Sequence, residues 1–502
     1  MNVADLLDRA MRYFPNQPAL VFEGRSTTYA DLRASVQRLA AGLREAGVQP
    51  GDRVALFLPN IPEFIVAYQA CQWAGAITVS ANVMLTTEEL RYLLEDSGAK
   101  LVFTTESLWQ PLAPLVAGVL GGPERVVVCE GAVAGTRSLA EFGRHTAEQR
   151  PRRREPSDAA AILYTSGTTG RQKGATLSVG NIVSNAHTTR HLLRSTSEDR
   201  LLLFLPLFHV FGQNFIMASA FAAGASMVLH RRFDRDAVLT SMARDRVSMF
   251  FAVPTIYIML LGDGIRAERM HGVRYFFSAA ATMPVEVATR WTEIFGIPIH
   301  EGYGLTETSP LASYNHEWRH RPGSIGTPVD NVEMRVVDAE DRDVPAGTWG
   351  EICIKGPNIM LGYWNRPAET AEALRGGWFH SGDVGYVDDD GYFFIVDRTK
   401  DMINSAGLKI WPREVEEVLY QHAAVAECAV FGAPDPVKGE VTMAAIVLAS
   451  GVSATSEELD SFCRERLATY KVPRAFQFVS SLPKSATGKV LKRVLRDQVP
   501  SA

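Results

Sequence analysis

The chain has 502 residues, of which 46% are hydrophobic and 21% are charged, and its formal net charge is −5. This composition is ordinary for a globular protein, and the length predicts about three domains or subdomains at roughly 150 residues each. The mildly acidic balance gives nucleic acid and anionic membranes no electrostatic reason to bind, so we expect neither as a partner. The longest weakly polar run, residues 215–229, is shorter than the roughly 20 residues of a membrane-spanning helix, so we expect a buried helix leading to a strand there and no transmembrane segment.

The five cysteines are widely scattered along the chain. They show neither the spacing of a metal site nor a disulfide framework, and the N-terminal residues lack the apolar core of a signal peptide. These features predict a reducing, cytoplasmic location.

Strand and helix signals alternate up to about residue 160. Thr86 followed by Glu89 forms a capping box, which predicts the start of a helix. The alternation favours a mostly parallel sheet with helices on both faces. The other elements predicted here are strands at residues 54–58, 76–79, 101–103 and 126–128 and a helix at 62–73.

The same rhythm returns in the middle of the chain and then changes. From about residue 323 short strands alternate with Gly, Pro and Asp turns, which is typical of an antiparallel, barrel-like piece. The last hundred residues combine amphipathic helices, one of them capped by Thr455 and Glu458, with apolar strands. The strands predicted in these three parts are 201–205, 248–252, 274–277, 332–337, 350–354, 429–431 and 443–448, and a helix is predicted at 412–421.

A glycine- and hydroxyl-rich stretch, YTSGTTGRQKG at residues 164–174, directly follows an apolar run at 159–163 that predicts a buried strand. Unshielded backbone N–H groups, hydroxyl donors and one lysine suit phosphate oxygens. The spacing is not that of a Walker A loop. Phosphate binding is the favoured interpretation, and a plain flexible surface loop is the alternative.

Further polar motifs follow in order: EGYGLTET at 301–308, HSGD at 380–383, DRTKD at 397–401 and GK at 488–489. With the phosphate loop, they resemble the motifs of the adenylate-forming superfamily, which includes acyl-CoA synthetases, firefly luciferase and the adenylation domains of peptide synthetases. The resemblance covers nearly the whole chain and is closest to fatty acyl-CoA ligases. It implies that a carboxylate attacks the α-phosphate of Mg-ATP to give an acyl-adenylate and pyrophosphate, and that a thiol then displaces AMP. Such chemistry depends on positioning and electrostatics.

The resemblance also implies the architecture. We expect an α/β fold with a large N-terminal domain, residues 1–397, made of two βα-layered subdomains and a small β-barrel-like subdomain. A hinge at 398–400, with Lys400 as its pivot, would lead to a small, mobile α+β C-terminal domain at 401–502. This small domain would present its tail lysine for adenylation and then rotate to offer another face to the thiol.

Roles carry over to individual residues from the resemblance. The residues implied to cradle the β- and γ-phosphates are Thr165, Ser166, Gly167, Thr168, Thr169 and Lys173. Those implied to bind the nucleotide are Ala279, Ala280, Ala281, Gly302, Tyr303, Asp383, Ile395 and Arg398. Those implied to line the acid pocket are His209, Phe211, Gly212, Asn214 and Gly304. Those implied to form the thiol tunnel are Gly407, Leu408 and Lys409, and those implied to act in catalysis are Lys489, Thr306, Glu307 and His209.

Within this set, Tyr303 would stack on adenine and Asp383 would accept hydrogen bonds from the two ribose hydroxyls. Thr306 would hydrogen-bond the α-phosphate, Glu307 would hold Mg²⁺, and Lys489 would bridge the carboxylate and the α-phosphate. The alternatives are a core aromatic for Tyr303, a turn residue for Asp383 and a solvated surface lysine for Lys489.

Three positions depart from the usual pattern of the superfamily. Gln172 replaces a proline in the phosphate loop, Ala406 replaces a glycine in the thiol-side loop, and the adenine turn reads SAAATM at 278–283 in place of SGGAPL. The added methyl groups narrow the adenine wall, so the acid pocket is expected to be reshaped. The change in the thiol-side loop leaves the acceptor open.

Position 209 bears on the class of acid, because amino-acid-activating relatives carry an Asp there to hold the ammonium of their substrate. This chain has His209, so no partner for an ammonium is visible and an amino acid is not expected. The alternative role of His209 is that of a packed structural histidine. Neighbouring Phe211 and Phe215 suggest an apolar pocket, with a fatty acid as the first expectation and an aryl acid as the second. Coenzyme A is the expected acceptor. An acyl carrier protein is the alternative acceptor. A luciferase-like oxidase and an ATP-binding pseudoenzyme are the alternative functions, and the oligomeric state stays open.

Overall fold

The computed structural model describes residues 1–142, 150–165, 172–262, 264–398, 401–435, 438–485 and 488–498. No helix within these ranges is long and apolar enough to cross a membrane. The run at 215–229 is a buried helical segment followed by a strand, as predicted.

Two large sheets form the core of the N-terminal part. The first has nine strands among the described residues and is parallel except at its two edges. Its central strands are fully buried apolar runs, as expected for parallel strands covered on both faces. In spatial order the strands are Thr327–Pro328, Leu311–Tyr314, Ile299–Gly304, Tyr275–Ser278, Met249–Ala252, Arg200–Leu203, Ser226–Leu229, Pro18–Phe22 and Arg25–Thr28.

The second sheet has eight described strands, and it too has a parallel centre. Two antiparallel strands at one edge carry the phosphate-loop hairpin. In spatial order the strands are Gly362–Tyr363, Lys173–Ser178, Ala159–Thr165, Ile77–Ser80, Arg53–Leu56, Leu101–Thr104, Val126–Val128 and Arg137–Ser138.

Helices cover both sheets. The capping box of Thr86 and Glu89 is present, and its helix begins at the next residue. The α-helices of this part are Asp5–Tyr13, Tyr29–Glu45, Pro62–Ala74, Thr87–Ser97, Trp109–Leu112, Leu139–Phe142, Val179–Leu192, Ala218–Ala223, Arg235–Arg244, Pro254–Gly262, Val285–Phe295 and Pro367–Ala373. Wider turns form π-helices at Val116–Leu120 and Phe211–Met217.

The turn-rich part after residue 323 forms an antiparallel sheet, as predicted. Its four described strands are Glu333–Val337, Gly350–Lys355, Phe379–Val387 and Phe393–Arg398. This sheet presents the HSGD and DRTKD motifs on neighbouring strands, since Asp383 pairs with Arg398.

The C-terminal residues form a separate α+β unit with its own hydrophobic clusters. Its strands are Ile403–Ser405, Leu408–Ile410, Val425–Asp435, Gly439–Leu448 and Ala475–Phe478, and its helices are Pro412–Tyr420, Ser456–Arg464 and Lys492–Asp497. The predicted capping box of Thr455 and Glu458 begins the second of these helices. The α/β fold class with a large and a small domain is confirmed, whereas the domain boundaries and the motion of the small domain stay predictions.

Candidate active site

A cavity of about 700 Å³ lies where the carboxyl ends of parallel strands meet the tail of the small domain. Ligands of open α/β sheets bind at this end of the strands. The predicted site residues that line it are Thr165, Lys173, His209, Phe211, Ala279, Ala280, Gly302, Tyr303, Gly304, Thr306, Glu307, Arg398 and Lys489.

Other predicted residues lie behind or away from the cavity wall. Asp383 is buried one layer behind the wall, and Gly212 and Asn214 belong to the buried π-helix Phe211–Met217. The described wall of the cavity also lacks Ala281, Ile395, Gly407, Leu408 and Lys409. Ser166, Gly167, Thr168, Thr169 and Lys400 lie outside the described residues, so their roles stay predictions.

The EGYGLTET motif forms the floor of the cavity. The strand Ile299–Gly304 ends at Gly304, and a single 3₁₀ turn, Thr306–Thr308, follows it. A side-chain carbon at Gly304 would overlap the carbonyl oxygen of Pro310, so only glycine fits at this close approach of two backbones. The sharp turn directs Thr306 and Glu307 toward the cavity.

The Glu307 carboxylate is buried and accepts hydrogen bonds from two hydroxyls. Tyr363 donates to it at 3.0 Å and Thr165 at 3.4 Å. Burial raises the pKa of the Glu307 carboxyl, which indicates that its negative charge is incompletely compensated by protein groups. One carboxylate beside a phosphate site is the donor set that Mg²⁺ ordinarily uses together with substrate phosphates, so these residues fit that ion.

Thr165 and Lys173 face each other at the two ends of the phosphate loop. They are paired in an antiparallel hairpin, which closes the loop at its base. The Lys173 ammonium lies 5.2 Å from the ring centroid of Tyr363, a cation–π contact that fixes its position. Sequence reasoning missed Tyr363, and its only signal was an aromatic pair, Tyr363-Trp364, in a turn-rich stretch.

Tyr303, Asp383 and Arg398 form one connected group. The Tyr303 hydroxyl donates to Asp383 Oδ2 at 2.7 Å, and Arg398 Nε lies 3.0 Å from Asp383 Oδ1. Asp383 raises the pKa of the Arg398 guanidinium. Each carboxylate oxygen keeps a free lone pair, so Asp383 can still accept from a vicinal diol.

The adenine turn carries one strained residue. Ala280 has φ of +71°, which lies in the left-handed region that favours glycine. The usual pattern of the superfamily has a glycine at this position. The backbone here therefore keeps the shape of a glycine turn, and Ala280 is an exposed residue of the cavity wall.

His209 lines the cavity together with Phe211 and Lys489. Burial, and then the charge of Lys489, lower the pKa of His209 to about 4. Its Nδ1 accepts the backbone N–H of Phe211 at 3.3 Å, which places the proton of the neutral ring on Nε2. His209 is therefore neutral at physiological pH and presents an N–H donor.

Aromatic rings close the apolar end of the cavity. Phe215 and Phe277 stack with centroids 4.6 Å apart, and Phe211 meets both edge-on at 5.2 and 5.8 Å. All three are buried. Phe277 was not predicted as a site residue, although it ends a predicted strand directly before a small-residue turn.

The small domain inserts its tail into this site. Lys484 and Val490 form a bridge that closes a turn, and Gly488 adopts φ of +78° inside it. A side-chain carbon at Gly488 would lie 2.8 Å from Val253 of the large domain, so the turn is packed tightly against the large domain. This packing brings Lys489 to the cavity, whereas the predicted thiol-side loop is at the surface.

Comparisons with known proteins agree with this geometry. Residues 7–364 match the AMP-binding enzyme family and residues 414–489 match the AMP-binding enzyme C-terminal domain. The chain is 36% identical to a long-chain-fatty-acid–CoA ligase of Bacillus subtilis, covering 98% of this chain and 93% of that protein. It is 39% identical to a feruloyl-CoA synthase of Amycolatopsis sp, covering 97% of each. The crystal structure of ATP-bound MatB from Rhodopseudomonas palustris superposes with a TM-score of 0.91 at 33% identity over 99% of each chain. The chain therefore belongs to the AMP-binding, adenylate-forming enzyme family and is an acid–thiol ligase.

Proposed function

We propose that this protein activates an apolar carboxylic acid with ATP and transfers the acyl group to coenzyme A. The observation that carries the proposal is the convergence of Lys489 from the small domain with Thr306 and Glu307 from the large domain on one cavity. A cation, a hydroxyl donor and a carboxylate that line one cavity are the groups that adenylation of a carboxylate needs. The CoA-ligase names of the relatives support the acceptor.

In the first half-reaction a carboxylate oxygen of the acid forms a bond to the α-phosphorus of ATP. The bond from that phosphorus to the oxygen bridging toward the β-phosphate breaks, and pyrophosphate leaves with the electron pair. Lys489 and Thr306, which line the cavity, would stabilise the charge that develops on the α-phosphoryl oxygens, and Lys173 would hold the leaving pyrophosphate. In the second half-reaction the thiolate of coenzyme A attacks the acyl carbon and AMP leaves.

Glu307 is the residue that would hold Mg²⁺, with Thr165 beside it. The ion would neutralise part of the triphosphate charge. The rest of the triphosphate charge would be neutralised by the protein cations that line the described cavity, namely Lys173, Arg398 and Lys489.

The walls of the cavity bear on which acid is the substrate. A fatty acid is the first candidate because the pocket is apolar, and the packed rings of Phe211, Phe215 and Phe277 favour a short or medium chain over a long one. An aryl acid is the second candidate, favoured by the same aromatic walls and by the likeness to feruloyl-CoA synthases. His209 would then donate from Nε2 toward the carboxylate at the mouth of this pocket.

The small domain is proposed to rotate between the half-reactions about the segment at 398–400. Lys489 reaches the cavity while Gly407, Leu408 and Lys409 lie at the surface, which is what the adenylation arrangement requires. All five cysteines lie in the described residues and are free, which supports a reducing, cytoplasmic location.

The test is pyrophosphate release with ATP, Mg²⁺ and a panel of straight-chain acids and benzoates or cinnamates, with and without coenzyme A. Sustained turnover that needs both one acid class and coenzyme A is the expected result. A single stoichiometric burst of pyrophosphate that coenzyme A does not relieve would instead favour an acyl carrier protein as acceptor. Absence of release with every acid would favour the pseudoenzyme.

A further inference from the structure

One cluster of titratable side chains lies outside the cavity yet touches the HSGD loop. The Glu351 carboxylate, on the strand Gly350–Lys355, lies 2.9 Å from Nδ1 of His380 through Oε2. Its other oxygen, Oε1, accepts the backbone N–H of Gly382 at 2.9 Å. A single carboxylate therefore contacts the loop both before and after Ser381.

The pairing of the strands explains why this loop needs support. Glu351 is opposite Val384 and Cys353 is opposite His380, so residues 381–383 bulge out of the ladder opposite one residue of the partner strand. A bulge leaves backbone groups without ladder partners. Glu351 satisfies the Gly382 N–H, and the carbonyl of residue 352 accepts from the Ser381 hydroxyl at 2.6 Å.

The bulge bears directly on the nucleotide site. Gly382, with φ of +72°, lines the cavity, and Asp383 follows it at the far end of the bulge. The Ser381 hydroxyl also accepts the backbone N–H of Asp383 at 3.1 Å. A shift of the loop at Gly382 would therefore move the carboxylate that faces Tyr303 and Arg398.

A guanidinium holds the Glu351 carboxylate in turn. Arg375 Nη2 lies 3.2 Å from Glu351 Oε2, and the same side chain contacts Asp341 at 3.1 Å. Cys353, His380 and Glu351 have the ligand types of a metal site. Arg375 already supplies the positive charge at Glu351, so an ion there would face a neighbouring cation.

We propose that Glu351 is a positioning residue for ATP, because it clamps the 381–383 bulge and thereby holds Asp383 in register with the ribose hydroxyls. The inference rests on the proposed role of Asp383 as the ribose acceptor. It predicts an effect on binding of the ribose diol and little effect on the attack at the α-phosphorus, which is assigned to Lys489 and Thr306 and not to the 381–383 bulge.

The experiment compares ATP with 2′,3′-dideoxy-ATP at saturating acid and Mg²⁺, using pyrophosphate release by the full chain. Two variants are used: Glu351→Gln, and Glu351→Asp, which keeps the charge for Arg375 but withdraws it from the loop by one methylene. Glu333→Gln, on a neighbouring strand and paired with exposed Lys355, is the matched control. The preference of the enzyme for ATP over the dideoxy nucleotide is the quantity measured.

We expect the KM for ATP to rise about tenfold in both Glu351 variants, the equivalent of about 1.4 kcal/mol for one charge-assisted hydrogen bond. The KM for dideoxy-ATP and kcat should change by less than about threefold, and the Glu333 control should match the wild type. An undiminished preference for ATP in both folded variants, or equal losses with both nucleotides, would overturn the positioning role. No preference in the wild type would instead overturn the ribose assignment of Asp383. One zinc per purified chain that disappears in Cys353→Ser would also overturn the clamp in favour of a metal site.

Discussion

We predict that replacement of Lys489 by alanine affects the two half-reactions differently. Of the cationic side chains that line the described cavity, Lys489 alone comes from the small domain, and its charge contributes to the lowered pKa of His209. Loss of one preorganised donor to a developing oxyanion typically costs about 10²–10³ in rate, or about 2.7–4 kcal/mol. We therefore expect Lys489→Ala to slow acyl-adenylate formation by that factor.

The second half-reaction should behave differently. If the small domain rotates, Lys489 leaves the site before the thiol arrives, so thioester formation from supplied acyl-AMP and coenzyme A should change by less than about threefold. Both steps are measured separately, by ATP–pyrophosphate exchange and by thioester formation from the acyl-adenylate.

The matched control is Lys484→Ala. Lys484 lies on the same tail, pairs with Glu427 at 2.7 Å and is absent from the cavity wall. It should leave both half-reactions unchanged. Equal loss of both half-reactions in Lys489→Ala would refute the rotation, and unchanged adenylation would refute the catalytic role of Lys489.

Three further predictions concern ribose binding, the acid pocket and pH. Asp383→Ala should raise the KM for ATP about tenfold to hundredfold because it removes a charged acceptor, and an unchanged KM would remove its ribose role. Phe277→Leu should shift the preferred acid toward longer or bulkier members of the panel at a stability cost of about 0.5–3 kcal/mol, and an unmoved optimum would show that the ring stacked on Phe215 does not close the pocket. Burial, opposed by Arg413, raises the pKa of the Glu301 carboxyl to about 8, from roughly 4.3 in the unfolded chain. Between these two values the folded state keeps a proton that the unfolded state has lost. The contribution of the protonated Glu301 carboxyl to stability is therefore full below the unfolded pKa and is lost as pH rises through 8. Thermal unfolding between pH 6 and 9 should therefore show a flatter decline for Glu301→Gln than for the wild type, whereas parallel declines would contradict the assignment.

Local signals were sufficient for the helix starts and the strand centres. The capping boxes at Thr86 and Thr455 begin the helices they predicted, because the hydrogen bonds of a cap join residues only three apart. Strand centres were predicted by apolar runs. Strand ends were not, as in Val425–Asp435, predicted only at 429–431, because its pairing with Gly439–Leu448 extends well beyond the apolar centre.

The order of motifs was sufficient for the family and for the charged residues that line the described cavity, namely Lys173, Glu307, Arg398 and Lys489. The contacts between them were not predictable, because they join residues distant in the chain. Tyr303 and Asp383 are 80 positions apart, and only the packing of two sheets brings the hydroxyl to the carboxylate.

The sequence by itself thus determined which elements form, which family the chain joins and which side chains are chemically suited to ATP. Tertiary structure alone decided that Tyr363 contacts both Glu307 and Lys173, since a two-residue antiparallel pairing places it there. It also decided that Phe277 stacks on Phe215 at the apolar end of the cavity. The physical reason is that helix caps and strand periodicity are encoded within a few residues, whereas a site is built from contacts whose geometry exists only after the sheets have packed.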